Sequence, residues 1–509
     1  MFFHSGSFLF VFLPVVLAGY FALERAPRVV WRQAWLLAAS LVFYGWANPR
    51  ALLLFVPLVT INYFLGRRMP AGSRWLPAAG IALNLLVLGY FKYANFFVSN
   101  LNALLREDLF LEKILLPLGI SFLTFMQIAW LVACRRGQAA PCSLFEFFLY
   151  SAFFPQVVSG PIVYQSESLP QFRKIRTSGE RAEDVCVGAT LFCMGLGKKV
   201  LLADPIGPWA TQVFWAAAEG RPISVAAAWI GALAYAFQLY FDFSGYSDMA
   251  LGLARLFGVR LPLNFDSPYK AGSISEFWRR WHMTLSRFLR DFVYIPLGGS
   301  RCGGARRSAN LVLTMLLGGF WHGAGWTFLL WGALHGGYLV VNHQWSQITA
   351  SRKIPGAALF SGWGGRLVTF FAVLVAWLFF RAARPEEAWQ VLMAMLGGGP
   401  PFLAADPLFA KSSPVAMAAL ARIGLAADPQ LLMGCWLAAL AAFIWALPNS
   451  QQVLRRFDPG LVTYGKSIEP ASSRLLEWQP TAAWLVATVL VFFWCLLNLS
   501  GGSFLYRDF

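Results

Sequence analysis

The chain has 509 residues, of which 58% are hydrophobic and only 13% charged, and its mean hydropathy is +0.57. That balance excludes an ordinary water-soluble domain, and the continuous rather than alternating apolar runs exclude a transmembrane β-barrel. The formal charge of +17 does not call for nucleic acid, because the basic residues gather in loops between apolar runs, as the positive-inside rule expects.

From the N-terminus, the apolar runs are 7–23, 34–47, 51–65, 75–91, 114–133, 144–164, 185–203, 225–241, 310–321, 327–341, 367–380, 430–447 and 482–499. Several fall short of the roughly 20 residues a full helical span needs. The expected fold is therefore all-α and polytopic, a single membrane domain over 1–509. Some of its segments should be extended by their flanks, broken, re-entrant or interfacial, lining an intramembrane cavity.

The first run lacks a basic region before it and leads straight into Glu24-Arg25-Ala26-Pro27-Arg28, so it reads as a span rather than a cleaved signal. Loop 24–33 carries Arg25, Arg28 and Arg32, loop 66–74 carries Arg67, Arg68 and Arg74, and Arg135-Arg136 follow the fifth run. Counting spans puts all three on one side, which makes them cytoplasmic and the N-terminus and loop 92–113 extracytoplasmic.

Three stretches depart from plain transmembrane sequence. Phe154-Pro155-Gln156-Val157-Val158-Ser159-Gly160-Pro161 should be broken backbone shielded by protein or facing a cavity. Residues 242–309 read as a long polar stretch rich in arginine and aromatics, and 383–429 as an irregular connection with short helices. Within 242–309, Ser273-Ile274-Ser275-Glu276 has the form of a capping box. From there Phe277, Trp278, Trp281, Leu285, Phe288, Leu289 and Phe292 recur at helical spacing, while Arg279, His282, Ser286 and Arg290 fall on another face. The pattern predicts an amphipathic helix lying partly in the interface, with Trp278 and Trp281 buried and Arg279 and Arg280 meeting phosphate, ended by Pro296 and Gly298-Gly299.

Seven cysteines (Cys134, Cys142, Cys186, Cys193, Cys302, Cys435, Cys495) show no CxxC pair and no zinc spacing, so no metal site is expected. Gly195-Leu196-Gly197-Lys198-Lys199 lacks the spacing and the Ser/Thr of a P-loop and reads as a basic break within or beside a span. No internal repeat of fixed period is visible, which weakens an inverted-repeat transporter.

Of five histidines, His322 stands out. It lies in Phe320-Trp321-His322-Gly323-Ala324-Gly325-Trp326 between apolar runs, with Gly318, Gly319, Gly323 and Gly325 allowing the backbone to open beside it. An ionisable residue at membrane depth is costly and marks a functional site. His335 follows by thirteen residues, on the order of 20 Å if one helix carries the whole stretch, and reads as a hydrogen-bonded structural or secondary-site residue. His4 and His343 lie near run ends. His282, on the amphipathic segment, shares with His322 a tryptophan neighbour (Trp281, Trp321).

Phe241-Asp242-Phe243-Ser244-Gly245-Tyr246-Ser247-Asp248, Asn264-Phe265-Asp266-Ser267-Pro268-Tyr269, Phe277-Trp278-Arg279-Arg280-Trp281-His282-Met283-Thr284-Leu285-Ser286 and Trp321-His322-Gly323-Ala324 resemble the membrane-bound O-acyltransferase (MBOAT) family, in particular its bacterial alginate O-acetyltransferase branch. Leu116-Pro117-Leu118-Gly119-Ile120-Ser121-Phe122, the segment from Phe154 to Pro161, and Asp291-Phe292-Val293-Tyr294-Ile295-Pro296-Leu297-Gly298-Gly299 match as well. The resemblance is strongest over 1–345. Over 346–509 it thins to Pro448-Asn449-Ser450-Gln451-Gln452 and the tail.

The resemblance implies intramembrane acyl transfer at a multi-pass protein of the bacterial inner membrane. The family's signature histidine maps onto His322 and its second polar position onto His282. A neutral imidazole can take the proton of an attacking hydroxyl, and His282 or a backbone N–H near Gly323 could stabilise the oxyanion. A covalent acyl-histidine is a second route. The implied donor is acetyl-coenzyme A, with Lys198, Lys199, Arg279, Arg280, Arg306 and Arg307 as candidates for its phosphates. The implied acceptors are an extracytoplasmic acetyltransferase partner and then the hydroxyls of an exported polysaccharide such as alginate. D-alanyl transfer to teichoic acid is the alternative within the family. A transporter of an acylated carrier and a non-catalytic scaffold are the alternatives outside it.

Overall fold

The computed structural model describes residues 1–24, 28–70, 73–112, 114–351, 362–400, 429–464, 468–471 and 473–499. Among these residues the protein is helical, and the one extended pairing is an isolated bridge between Pro262 and Leu461. The loop position Arg25, most of 383–429 and the tail beyond 499 lie outside the described residues.

The N-terminal helices are α1 (Leu13–Leu23), α2 (Val29–Gly45), α3 (Ala51–Arg67), α4 (Trp75–Leu88), α5 (Ala94–Leu105) and α6 (Ile120–Arg135). A π turn at Gly89–Tyr93 joins α4 to α5 into one apolar stretch, Trp75–Leu105. The expected run 114–133 begins its helix only at Ile120, after Gly119 at φ +71°.

The expected span 144–164 is a correction. It divides into α7 (Leu144–Ala152), a single turn α8 (Phe154–Val157) and non-helical backbone before α9 (Gln165–Arg173). Pro155 and Pro161 remove the amide donors that would carry one helix through. All of 151–160 is buried, so the protein shields this broken stretch.

A larger correction concerns 225–241. The helix does not end there: α12 runs Val225–Leu256, and the residues read as the start of a polar stretch belong to it. Its polar groups are matched from α10 (Ser178–Gly197) and the π turn Lys198–Ala203 that extends α10 toward α11 (Gly207–Ala218). Lys199 Nζ lies 2.6 Å from Asp242 and 2.7 Å from Asp204, Lys198 Nζ 2.6 Å from Asp248, and Arg255 Nε 2.6 Å from Asp184. Glycines let the two backbones meet. A Cβ on Gly195 would stand 2.5 Å from the Gly245 carbonyl, and one on Gly252 would stand 2.6 Å from that of Gly188. Small residues seven apart on both partners give the close crossing that holds membrane helices together.

The amphipathic helix expected from Ser273 is also corrected. Ser273 Oγ does cap Glu276 N at 3.2 Å, but the Glu276 carboxylate turns to Gly272 N. The helix α13 (Ile274–Phe277) then stops, and α14 (Met283–Leu289) starts afresh after His282 at φ +41°. Trp278 and Trp281 are buried as expected. The second face does not exist as a surface, since His282 is buried and Ser286 half-buried while Arg279 and Arg290 are exposed.

The remaining helices are α15 (Gly304–His322), α16 (Trp326–Ser351), α17 (Gly362–Arg381), α18 (Pro385–Met393), α19 (Pro429–Ala446), α20 (Ser450–Val453) and α21 (Ala482–Leu497). One hydrophobic core extends from Phe3 through α12 to Cys495.

Candidate active site

His322 is the last residue of α15. Gly323 follows in extended conformation (φ −163°, ψ 152°), so the chain leaves the helix axis there and turns into α16. A helix end leaves its last carbonyls without intrahelical donors, and where they are buried they must be met by side chains. The π turn between α4 and α5 meets them. Tyr93 Oη donates to Phe320 O at 2.9 Å, and Lys92 Nζ donates to Trp321 O at 2.5 Å and to His322 O at 3.1 Å. The cation thus sits at the negative end of the α15 dipole.

The His322 imidazole is 2% exposed and is walled by aromatic rings, with centroids of Trp321, Trp331 and Phe380 at 4.9, 5.1 and 5.1 Å. His282 lies 6.5 Å away, centroid to centroid, beyond direct hydrogen-bond reach. The two histidines singled out in sequence are therefore brought together by the break between α13 and α14 and the end of α15.

Asn264 orients His282. Its Oδ1 accepts from Thr284 N at 3.3 Å and Thr284 Oγ1 at 2.9 Å, and lies 3.1 Å from His282 Nδ1. An oxygen already accepting from a backbone amide requires Nδ1 to carry the proton, so the lone pair of His282 is on Nε2. Asn264 Nδ2 in turn donates to Ser247 Oγ at 3.2 Å, and Thr284 Oγ1 accepts from Ile162 N at 3.1 Å. The network links α12, the broken segment after α8 and the left-handed residue that bears the imidazole.

A cavity of about 340 Å³ ends on Trp321 and His322. Its wall is largely apolar, with Tyr44, Ser121, Ser159 and Lys92 supplying polar groups, and its rim reaches the exposed Asn48 and Leu115. His282, 0% exposed, is not part of this wall. A second cavity, about 480 Å³, is bounded by Arg135, Arg136, Asp291, Phe292 and Pro296. Between the two stands a column of stacked rings, Trp321–Phe125 at 5.0 Å, Phe125–Phe288 at 3.9 Å and Phe288–Phe292 at 4.6 Å.

The expected phosphate cations do not gather here. Lys198 and Lys199 are engaged by carboxylates in the α10–α12 seam. Arg280 pairs with Glu276 at 2.8 Å and Asp266 at 3.4 Å, while Arg279 and Arg306 are exposed. His335 is fully buried and accepts from Trp278 Nε1 at 3.3 Å. The distance expected from one continuous helix does not hold, because the chain breaks after His322 and Trp331 touches both rings, at 5.1 Å from His322 and 4.8 Å from His335. His4 stacks on Phe2, and His343 Nδ1 lies 2.7 Å from Leu339 O. Lys92 and Asn264 were missed as site residues. A lysine inside Gly89-Tyr90-Phe91-Lys92-Tyr93 was the available signal, hidden because it also looks like the end of a run.

A family model described as MBOAT, membrane-bound O-acyltransferase family, matches residues 52–385. Over 426 residues the chain is 40% identical to a protein of Helicobacter pylori named "Peptidoglycan O-acetyltransferase", covering 78% of this chain and 80% of that one. Over 412 residues it is 42% identical to a Pseudomonas aeruginosa protein named "Probable alginate O-acetylase AlgI", covering 78% and 75%. A "Teichoic acid D-alanyltransferase" of Streptococcus thermophilus is 31% identical over 286 residues, 53% of this chain and 69% of that one.

Proposed function

Since the chain belongs to the membrane-bound O-acyltransferase family and is an acyltransferase, we propose that it moves an acetyl group from acetyl-coenzyme A to an extracytoplasmic acceptor, for O-acetylation of an exported polysaccharide. The single observation that carries this reading is His322 at the inner end of a cavity whose far rim is exposed at Asn48 and Leu115. Those two rim positions lie on the extracytoplasmic side in the topology expected from the loop arginines. The acceptor enters there, and its hydroxyl meets the His322 imidazole as general base. His282, held by Asn264 and outside the cavity wall, positions and polarises rather than touches the reacting atoms.

The donor approaches from the opposite side. Arg135 and Arg136, exposed on the second cavity, replace Lys198 and Lys199 as candidates for the coenzyme phosphates, because carboxylates already neutralise the lysines. Acetyl transfer is favoured over D-alanyl transfer because the acetyltransferase relatives match a much larger share of the chain. A transporter or scaffold reading gives way to the family's acyl transfer. The polymer is a glycan of the alginate or peptidoglycan kind, and the acetyl group reaches its hydroxyls through an extracytoplasmic acetyltransferase partner.

The test is the O-acetyl content of the exported polymer, measured beside membrane protein level. His322→Ala and His322→Gln lower transfer by ~10²–10⁴-fold with the protein still present. Full acetylation in His322→Ala cells would remove the reading.

A further inference from the structure

The expected oxyanion partners were His282 or a backbone N–H near Gly323. The cavity touches neither the His282 ring nor any other charged side chain besides Lys92 among the described residues that line it. Lys92 is held at both carbonyls that end α15, 2.5 Å from Trp321 O and 3.1 Å from His322 O. An ammonium has three donors, and these two bonds use two. Its ring neighbour is Trp321, whose centroid lies 5.5 Å from Nζ. No carboxylate of the described residues approaches it within 4.0 Å, unlike Lys198 and Lys199. A cation kept at membrane depth with carbonyl dipoles but no counter-charge is costly, and it is placed to gain most when negative charge arrives beside it.

We propose that Lys92 is the electrostatic partner of His322, donating its third N–H to the oxygen that becomes negative during acyl transfer. This rests on the acetyl-transfer reading above. In the step, the acceptor hydroxyl oxygen bonds to the thioester carbonyl carbon while its proton passes to His322. The carbonyl electron pair moves onto oxygen, where Lys92 meets it. Collapse reforms the C=O bond and breaks the C–S bond, and the departing thiolate takes the proton from the His322 imidazolium. Lys92 neither gives nor takes a proton in this step, so it serves every turnover alike. Its two bonds to the α15 carbonyls also fix the distance between cation and imidazole, since both are tied to the same residue.

The experiment uses the full chain in inside-out membrane vesicles with acetyl-coenzyme A as probe and thiol release as readout, giving kcat and KM, beside membrane protein level. Lys92→Gln keeps amide donors for the two carbonyls and removes the charge, while Lys92→Arg keeps the charge. The expected result is a kcat roughly 100-fold lower in Lys92→Gln with KM little changed, and substantial recovery in Lys92→Arg. Wild-type kcat in Lys92→Gln would overturn the proposal and leave Lys92 as a helix cap. Loss of Lys92→Gln and Lys92→Met from the membrane, with Lys92→Arg fully active, would assign it to folding and overturn it equally. His322→Ala run in parallel separates the two ideas, because thiol release surviving in that variant removes His322 as the base, whereas absence of thiol release from the wild-type protein defeats the acetyl-transfer reading itself.

Discussion

Two regions of this protein enclose cations between packed helices and treat them in opposite ways. In the α10–α12 seam, Lys198, Lys199 and Arg255 each stand 2.6 Å from a carboxylate, and the charges cancel locally. At the end of α15, Lys92 is given only carbonyl oxygens and shares its cavity with His322. A neutralised pair contributes register and packing, and little net attraction for anything outside it. A cation without a counter-charge keeps its field for the cavity. The polarity of a transmembrane residue therefore says less about function than whether its charge has already been cancelled.

The contrast can be broken at the seam first. Lys199→Met leaves Asp204 and Asp242 facing each other in a buried site, and removal of one partner of such a cluster costs roughly 3–5 kcal/mol. The expected outcome is a sharp fall in membrane level and thermal stability with kcat per surviving molecule unchanged. A normal level with lowered kcat would place Lys199 in the chemistry instead.

The pocket should behave in the reverse manner. Asn264→Leu removes the acceptor that fixes the His282 tautomer and Thr284. With each lost hydrogen bond worth about 1 kcal/mol, stability falls modestly and kcat falls roughly tenfold. An unchanged kcat would show that the orientation of His282 does not reach the reacting atoms. As a baseline for both, Arg173→Ala breaks an ion pair to Glu146 whose arginine side chain is 45% exposed. It changes stability by less than about 1 kcal/mol and leaves acetylation untouched.

Much of this arrangement was legible in the sequence where it depends on local composition. His322 declared itself because an imidazole between apolar runs and glycines has few structural reasons to be there. The broken stretch from Phe154 to Pro161 declared itself because proline removes amide donors. What escaped depends on partners far along the chain. Asp242, Asp248 and Arg255 read as the start of a polar stretch because their counter-charges lie on α10 and the turn after it, some 40–70 residues earlier. His282 was placed on a helix because nothing in a histidine announces a left-handed backbone, and only the packing of Asn264 and Phe243 around the ring accounts for it. Lys92 was hidden because a lysine at the end of an apolar run is the commonest sign of a membrane boundary.

The glycine crossing of α10 and α12 bears on how mutational tolerance is read in this protein. A side chain at Gly195 would drive into the Gly245 carbonyl and one at Gly252 into that of Gly188, so these positions admit no other amino acid without parting the helices. In a saturation library scored by polymer acetylation alone, Gly195 and His322 would look equally indispensable. A parallel score for abundance would split them, with the glycine variants missing from the membrane and the histidine variants present and silent.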